Sequence, residues 1–446
     1  MRVVEPLPLP TREERERGLR EAGFNLFLIP SRLVTFDFLT DSGTTAMSAN
    51  QWAAMMASDE SYAGSRSFEK FERVVRDLTG YPYVIPTHQG RAAERLLFSH
   101  LVRPGLKIPS NNHFDTTRAN IEQLGGKAMD LVIPEGRDPQ NRHPFKGNMD
   151  LARLEAFCAE NAGRIPCGMM TITNNTGGGQ PVSLENLHGA SEIYHRHEIP
   201  FILDACRFAE NSYFVRAREE GQAGRAVRDI ARETFALADG CLLSAKKDGL
   251  VNIGGFIALK SGAWVDHLRS LLILTEGFPT YGGLAARDLE ALAIGLEEVL
   301  DENYLAYRTA VSRYMAAGLN TVGIPTVQPP GGHAVYIDAK AFLPHIPPEE
   351  YPGQALVCEL YLAEGIRSCE IGSVMFGTRV NGEFRPAPME LVRLAFPRRV
   401  YTQSHFDYIL EGLTELVSRK ECIRGLRIAY EPPFLRHFTA RFETVE

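Results

Sequence analysis

Short apolar runs alternating with amphipathic segments through the middle of the chain predict an α/β fold. Two further observations shape that reading. Each polar motif follows directly on one of the apolar runs, the place where open α/β sheets hold their ligands. Leu289, Leu292, Leu296, Val299 and Leu300 share one face at helical spacing, so a long helix closes the sheet-bearing domain.

In chain order, Tyr83–Ile85 reads as a strand that leads through PTHQGR into a helix from Ala92. Met169–Thr173 leads into NNTGGGQP, Pro200–Leu203 ends at Asp204, and Cys241–Leu243 ends at Ser244. Gly254–Leu259 follows as a strand. Beyond the long helix, PPGG within Gln328–Gly332 marks a turn near the start of a second, smaller domain. The expected division is a large domain over 48–303 and a small one from 1–47 together with 304–446.

Length and composition bound the function. The 446 residues suit one large core plus a smaller domain, and 44% hydrophobic with 23% charged residues is ordinary for a globular protein. A net charge of -7 argues against nucleic acid or an acidic membrane as the main partner. The seven cysteines are dispersed without a C-x-x-C pair, which reads as reduced thiols in the cytoplasm and argues against a zinc site. The N-terminal stretch has no apolar core of signal-peptide length, and no run approaches the ~20 apolar residues of a membrane span.

The motif with most chemistry is SAKKDGLVNIGGF, Ser244 to Phe256. A lysine after an apolar strand can condense with an aldehyde, and a neighbouring cation and hydroxyl can hold a phosphate. That is the demand of pyridoxal 5'-phosphate (PLP), and the residues themselves leave Lys246 and Lys247 equivalent. Asp204 emerges at a strand end, where a carboxylate can keep a pyridinium nitrogen protonated, and Arg207 can reach the ring oxygen. Gln89, Gly90 and Arg91 stand at a helix N-terminus, whose free N–H groups favour a phosphate, with Ser244 and Lys246 completing the cradle. Phe114, in NNHFDTTR, can stack on the ring. Taken singly, each has a blander reading: a capping Asp, a surface Arg, a core Phe.

In order, THQGRAAE, HFDTTR, NNTGGGQPVS, LDACRFAENSYF, SAKKDGLVNIGGF, ELVRLAFPRRVYT and YEPPFLRHFTARF resemble the tryptophanase/tyrosine phenol-lyase family of β-eliminating lyases, from about Asp41 to Phe442. The resemblance implies fold type I of the PLP enzymes, with a mostly parallel seven-stranded sheet in the large domain and a smaller α+β domain. It implies that Lys247 forms the internal aldimine, that Asp204 pairs with the pyridinium, that Asn175 and Arg207 lie near the ring oxygen and that Phe114 stacks. Arg393, in VRLAF, matches the guanidinium that clamps the substrate carboxylate, and Thr40 and Asn175 join it at the substrate. TDSGTTAMS and DESYAGS also match, implying K+ activation through Glu60 and carbonyls near Gly43 and Asn252. They further imply a homotetramer in which Tyr62 serves a neighbouring subunit as general acid.

Such an enzyme removes the Cα proton with Lys247, passes through a quinonoid and protonates the leaving ring. Three positions bear on which ring leaves. Asp115 stands where phenol-lyases carry Thr, Ile371 where they carry Arg, and His437 where they carry Phe. A departing phenolate calls for a cation, which Ile371 withholds. An indole N–H gaining positive charge calls for an acceptor, which Asp115 offers. His437 can relay a proton or orient Tyr62. The expected reaction is therefore β-elimination of L-tryptophan to indole, pyruvate and ammonia. Rival readings are a phenol-lyase or broad-specificity β-lyase, an aminotransferase on the same fold, and a catalytically silent PLP-binding oligomer. Cys206, where relatives carry Thr, and Thr378, where they carry Arg, depart from the family pattern.

Overall fold

Five of the apolar runs form one sheet in the order Tyr83–Thr87, Gly255–Leu259, Gly240–Ser244, Phe201–Asp204, Gly168–Thr171. Gly255–Leu259 is antiparallel to both its neighbours, and the pairings on the other side are parallel. The three strands Gly168–Thr171, Phe201–Asp204 and Gly240–Ser244 are buried at every position, which explains their lack of polar alternation. Pro86 lies in the edge strand, where its missing N–H is tolerated. The structure, a computed structural model, describes residues 6–445. Residues 1–5, part of the expected small domain and of the N-terminal stretch read above, lie outside the described residues, as does residue 446.

The expected seven strands in one sheet are five plus a separate parallel pair, Lys107–Ser110 with Lys127–Asp130. Pro109 has no N–H to donate, and side chains replace the ladder between this pair and the Gly168–Thr171 strand. Asn111 receives the Thr171 N–H on Oδ1 at 2.9 Å and donates from Nδ2 to the Thr171 carbonyl at 3.0 Å. An amide side chain thus stands where backbone would pair.

The chain divides into two compact units. Among the described residues the first comprises Ser42–Gly136 and His143–Arg308; the second comprises those up to Asp41, Arg137–Arg142, and those from Thr309. The divisions thus fall a few residues from the expected 47/48 and 303/304. The short excursion 137–142 belongs with the second unit because Gln328 N–H donates to Pro139 O at 2.8 Å and Gln140 Nε2 to Thr326 O at 3.3 Å.

In the first unit, helix Arg66–Thr79 turns Phe68, Phe71, Val75 and Leu78 inward, is capped by Ser65 Oγ on the Phe68 N–H, and stops at Gly80 in the left-handed region. Helix Ala286–Glu298 buries Leu289, Leu292 and Leu296, while Val299 caps it and Leu300 lies beyond. The second unit packs its own core around the antiparallel strands Cys369–Ile371, Leu391–Ala395 and Ala334–Asp338. No described helix is long and apolar enough to cross a membrane.

Candidate active site

Two close approaches build the first unit's site. Helix Gly90–Leu101 begins two residues earlier than its apolar pattern indicates, and Gln89 caps it without a side-chain hydrogen bond, so its first N–H groups remain for a ligand. A Cβ on Gly90 would stand 2.5 Å from Ser244 Cβ, and one on Gly255 would stand 2.8 Å from Gly90 N. Only glycine at both positions lets this helix end reach the end of the lysine strand. Gly254 N–H secures the contact on His88 O at 2.7 Å, and Lys246 Nζ donates to Gln89 Oε1 at 3.2 Å. Burial, with repulsion from Lys247 and Arg91, lowers Lys246 to about 8. A phosphate is the counter-charge this arrangement lacks.

On the adjacent parallel strand, Asp204 is the last residue and is buried. Its carboxylate receives the Cys206 N–H at 3.4 Å, and among the described residues no cation lies within ion-pair distance. Cys206 Sγ accepts the Ser244 N–H at 3.2 Å. Burial first, then the charge of Asp204, pushes the Cys206 thiol far up, so it stays protonated. Asp248, just past the lysines, accepts the Ala209 N–H at 2.9 Å and so ties the lysine turn to the helix Phe208–Arg218, which Arg207 caps. Arg207 and Asn175 are both buried, Asn175 in the loop after Gly168–Thr171.

Phe114 caps helix Asp115–Gln123, and Asp115 opens it, its Oδ1 accepting the Thr116 N–H at 2.7 Å. Phe114 is half-buried and Asp115 buried.

The expected cation ligands divide. Asn252 Nδ2 donates to Gly43 O at 2.9 Å, joining those two, whereas the exposed Glu60 lies 3.8 Å from Arg287. Tyr62 is 70% exposed, with its ring 5.7 Å from Phe278 and 5.4 Å from Tyr281. A hydrogen bond to Tyr281 raises the pKa of Tyr62.

The second unit holds the remaining expected residues. Arg393, on Leu391–Ala395, is buried and donates from Nη2 to Leu39 O at 2.9 Å, which sets it beside Thr40. Ile371 is buried across from Leu391. His437 is buried against Phe27, ring centroids 5.9 Å apart, and Phe438. Arg436, its neighbour, donates to Val374 O at 2.5 Å and Ser373 O at 2.7 Å, just past Ile371. Glu370 and Glu390 flank the same turn: Glu370 accepts the Val374 N–H at 2.9 Å and Glu390 the Ser373 N–H at 3.1 Å. Burial, then Glu390, raises Glu370 to about 8. Thr378 is exposed.

Sequence reasoning missed Arg436, Glu370, Glu390 and Glu94. Only Glu94 left a signal, an acid on a helix face otherwise filled by Ala93, Leu97 and Phe98. The first unit's donor set fits PLP: an uncapped helix end and Lys246 for phosphate, a buried carboxylate without a cation for the ring nitrogen, and a lysine one strand away.

The family model described as beta-eliminating lyase matches residues 37–411. A tryptophanase from Hyphomonas neptunium is 60% identical over 99% of this chain and 98% of its own length. A tyrosine phenol-lyase from Symbiobacterium sp. is 49% identical over 100% and 98%. Among solved structures, a serine palmitoyltransferase from S. paucimobilis bound to a PLP–myriocin aldimine has TM-score 0.56 at 13% identity, covering 87% of this chain and 88% of that one.

Proposed function

This chain belongs to the β-eliminating lyase family, and from that membership we propose that it is a PLP-dependent carbon–carbon lyase that cleaves L-tryptophan to indole, pyruvate and ammonia. The observation that carries the reading is a buried carboxylate, Asp204, with no ion pair among the described residues, on the strand beside the one that ends in the lysine turn. A tryptophanase that is 60% identical supports indole over phenol as the leaving group.

Bound PLP supplies an electron sink for the charge left at the substrate Cα. The N-terminal amides of helix Gly90–Leu101, Arg91, Ser244 and Lys246 hold its phosphate. Asp204 would keep the ring nitrogen protonated, Phe114 would offer a ring to stack on it, and Arg207 and Asn175 would hold its phenolic oxygen. Lys247 removes the Cα proton. Tyr62, from a neighbouring subunit, delivers a proton to the indole carbon being released; its exposure and its hydrogen bond to Tyr281 support the role. Asp115 accepts the indole N–H as the ring gains positive charge. From the second unit, Arg393 and Thr40 suit a carboxylate, Ile371 offers no cation to a phenolate, and His437 is a group able to relay a proton. A homotetramer, K+ held at Gly43, Glu60 and Asn252, and a cytoplasmic location complete the reading. For the cation, the support is the backbone approach of the two segments, a Cβ on Gly43 standing 3.0 Å from Asn252 O.

The test is product analysis with PLP and K+ and equal amounts of L-tryptophan and L-tyrosine. Indole and pyruvate with little phenol are expected. Phenol as the main product keeps the family and overturns the roles of Asp115, Ile371 and His437; neither product overturns the elimination itself.

A further inference from the structure

Glu94 stands one turn inside helix Gly90–Leu101, and none of the roles above uses it. Its buried carboxylate is met by three donors from one neighbouring helix: Thr117 Oγ1 at 2.5 Å, Thr116 Oγ1 at 3.0 Å and Asn120 Nδ2 at 3.4 Å. All three lie on Asp115–Gln123, the helix that Phe114 caps and Asp115 opens. Adjacent residues thus bind the two oxygens of one carboxyl group. That fixes the rotation of the second helix about its own axis as well as its distance, which a non-directional apolar contact does not do. Rotation is what aims the Phe114 ring and the Asp115 carboxylate.

Resting on the reading of this site as a PLP cradle, we propose that Glu94 is a positioning residue: it docks the Phe114–Asp115 end of one helix onto the phosphate-binding helix, and so sets where the stacking ring and the leaving-group acceptor stand. The electrostatics agree. Burial raises the Glu94 carboxyl to about 7, the Thr117 and Thr116 hydroxyls and Lys247 oppose that rise, and Asp204 adds to it. Near neutrality both the charged and the uncharged form of the group are therefore populated, and the two hydroxyls can meet either. A protonated carboxyl can donate to one hydroxyl and accept from the other, and a glutamine side chain can do the same.

The experiment compares wild type, Glu94→Ala, Glu94→Gln and Thr117→Val as PLP-loaded full-length protein. It reads kcat and KM separately on L-tryptophan and on S-ethyl-L-cysteine, whose thiolate departs without ring protonation, together with the dissociation constant of PLP. In Glu94→Ala and Thr117→Val, kcat on tryptophan is expected to fall on the order of 10-fold more than kcat on S-ethylcysteine, as small displacements of a reacting group do. PLP should bind several-fold more weakly, and Glu94→Gln should recover both properties to within about 3-fold. Equal losses on the two substrates with unchanged PLP affinity, or a Gln variant as impaired as Ala, would overturn the assignment. Should Glu94→Ala fail to fold, Thr117→Val and Glu94→Gln carry the comparison. Wild-type protein that releases no indole sinks the functional reading instead, and the PLP affinity of Thr117→Val still reports on the docking.

Discussion

Arg436 donates from Nη2 to the carbonyl of Ser373 at 2.7 Å and from Nε to that of Val374 at 2.5 Å, so the residue before His437 holds the turn that follows Ile371. Its third acceptor is Gly377 O, and Glu431 lies 2.8 Å from Nη1. One planar fork thereby binds two segments more than 50 residues apart in sequence. Arg436→Ala should lower the free energy of unfolding by about 2–3 kcal/mol, since a charged donor leaves several carbonyls unmet. Arg436→Lys should recover less than half of that, because an ammonium lacks the fork. Urea denaturation followed by circular dichroism checks this, and an unchanged midpoint in the alanine variant contradicts it.

Glu370 predicts a loss of stability as pH rises from about 4.5 to about 8. Its carboxyl, raised from 4.5 to about 8 by burial and by Glu390, binds a proton in the folded state that the unfolded chain has already released. The Val374, Gly372 and Met375 N–H groups oppose the rise, and Lys340 acts on Glu390. The folded state holds more protons, so the contribution is fully present below pH 4.5 and is lost as pH climbs through 8. Thermal melts of wild type should fall from about pH 4.5 to about pH 8, and those of Glu370→Gln should fall less. Parallel curves for the two proteins would count against the raised Glu370 carboxyl.

Lys246 carries the opposite sign. Lowered from 10.5 to about 8, it loses its proton in the folded state before the unfolded chain does. Its charge thus disfavours the PLP-free fold below pH 8, and the penalty fades as pH approaches 10.5. PLP-free Lys246→Met should melt above wild type at pH 7, with the gap closing toward pH 10. In the presence of PLP the order should invert, because the variant lacks the phosphate's partner. A gap independent of pH refutes the assignment of the shift to this amine.

Cysteine labelling tests the packing around the lysine strand. Cys206 is half-buried and its thiol is held protonated, the other five core cysteines are buried, and Cys422 is exposed. Native holoenzyme treated with iodoacetamide at pH 7.5 should carry one adduct, at Cys422, because the thiolate is the reacting form. Mass spectrometry reads the outcome, and rapid modification of Cys206 would show that its contact with the Ser244 N–H is not closed.

Much of this protein was legible along the chain because the relevant signals are local. Strand ends carry their polar residue next in sequence, so Asp204, Ser244 and the Gln89–Arg91 turn are visible from apolar runs alone. The glycines of THQGR and NIGGF announce a close approach, although not what they approach. Family motifs then separated Lys247 from Lys246 and marked Arg393, which no periodicity could do. The sheet count was misjudged because Asn111 substitutes a side-chain amide for backbone pairing, and an asparagine after a strand ordinarily reads as a turn. Residues acting across long separations were invisible: Glu94 meets Thr117, Arg436 meets Ser373 and Glu370 faces Glu390 only once the chain has folded. The sequence by itself determined the residue types, the order of the elements and the family chemistry. The tertiary structure alone decided which buried charges find donors, because desolvation makes a carboxylate's proton depend on neighbours that the sequence holds far apart.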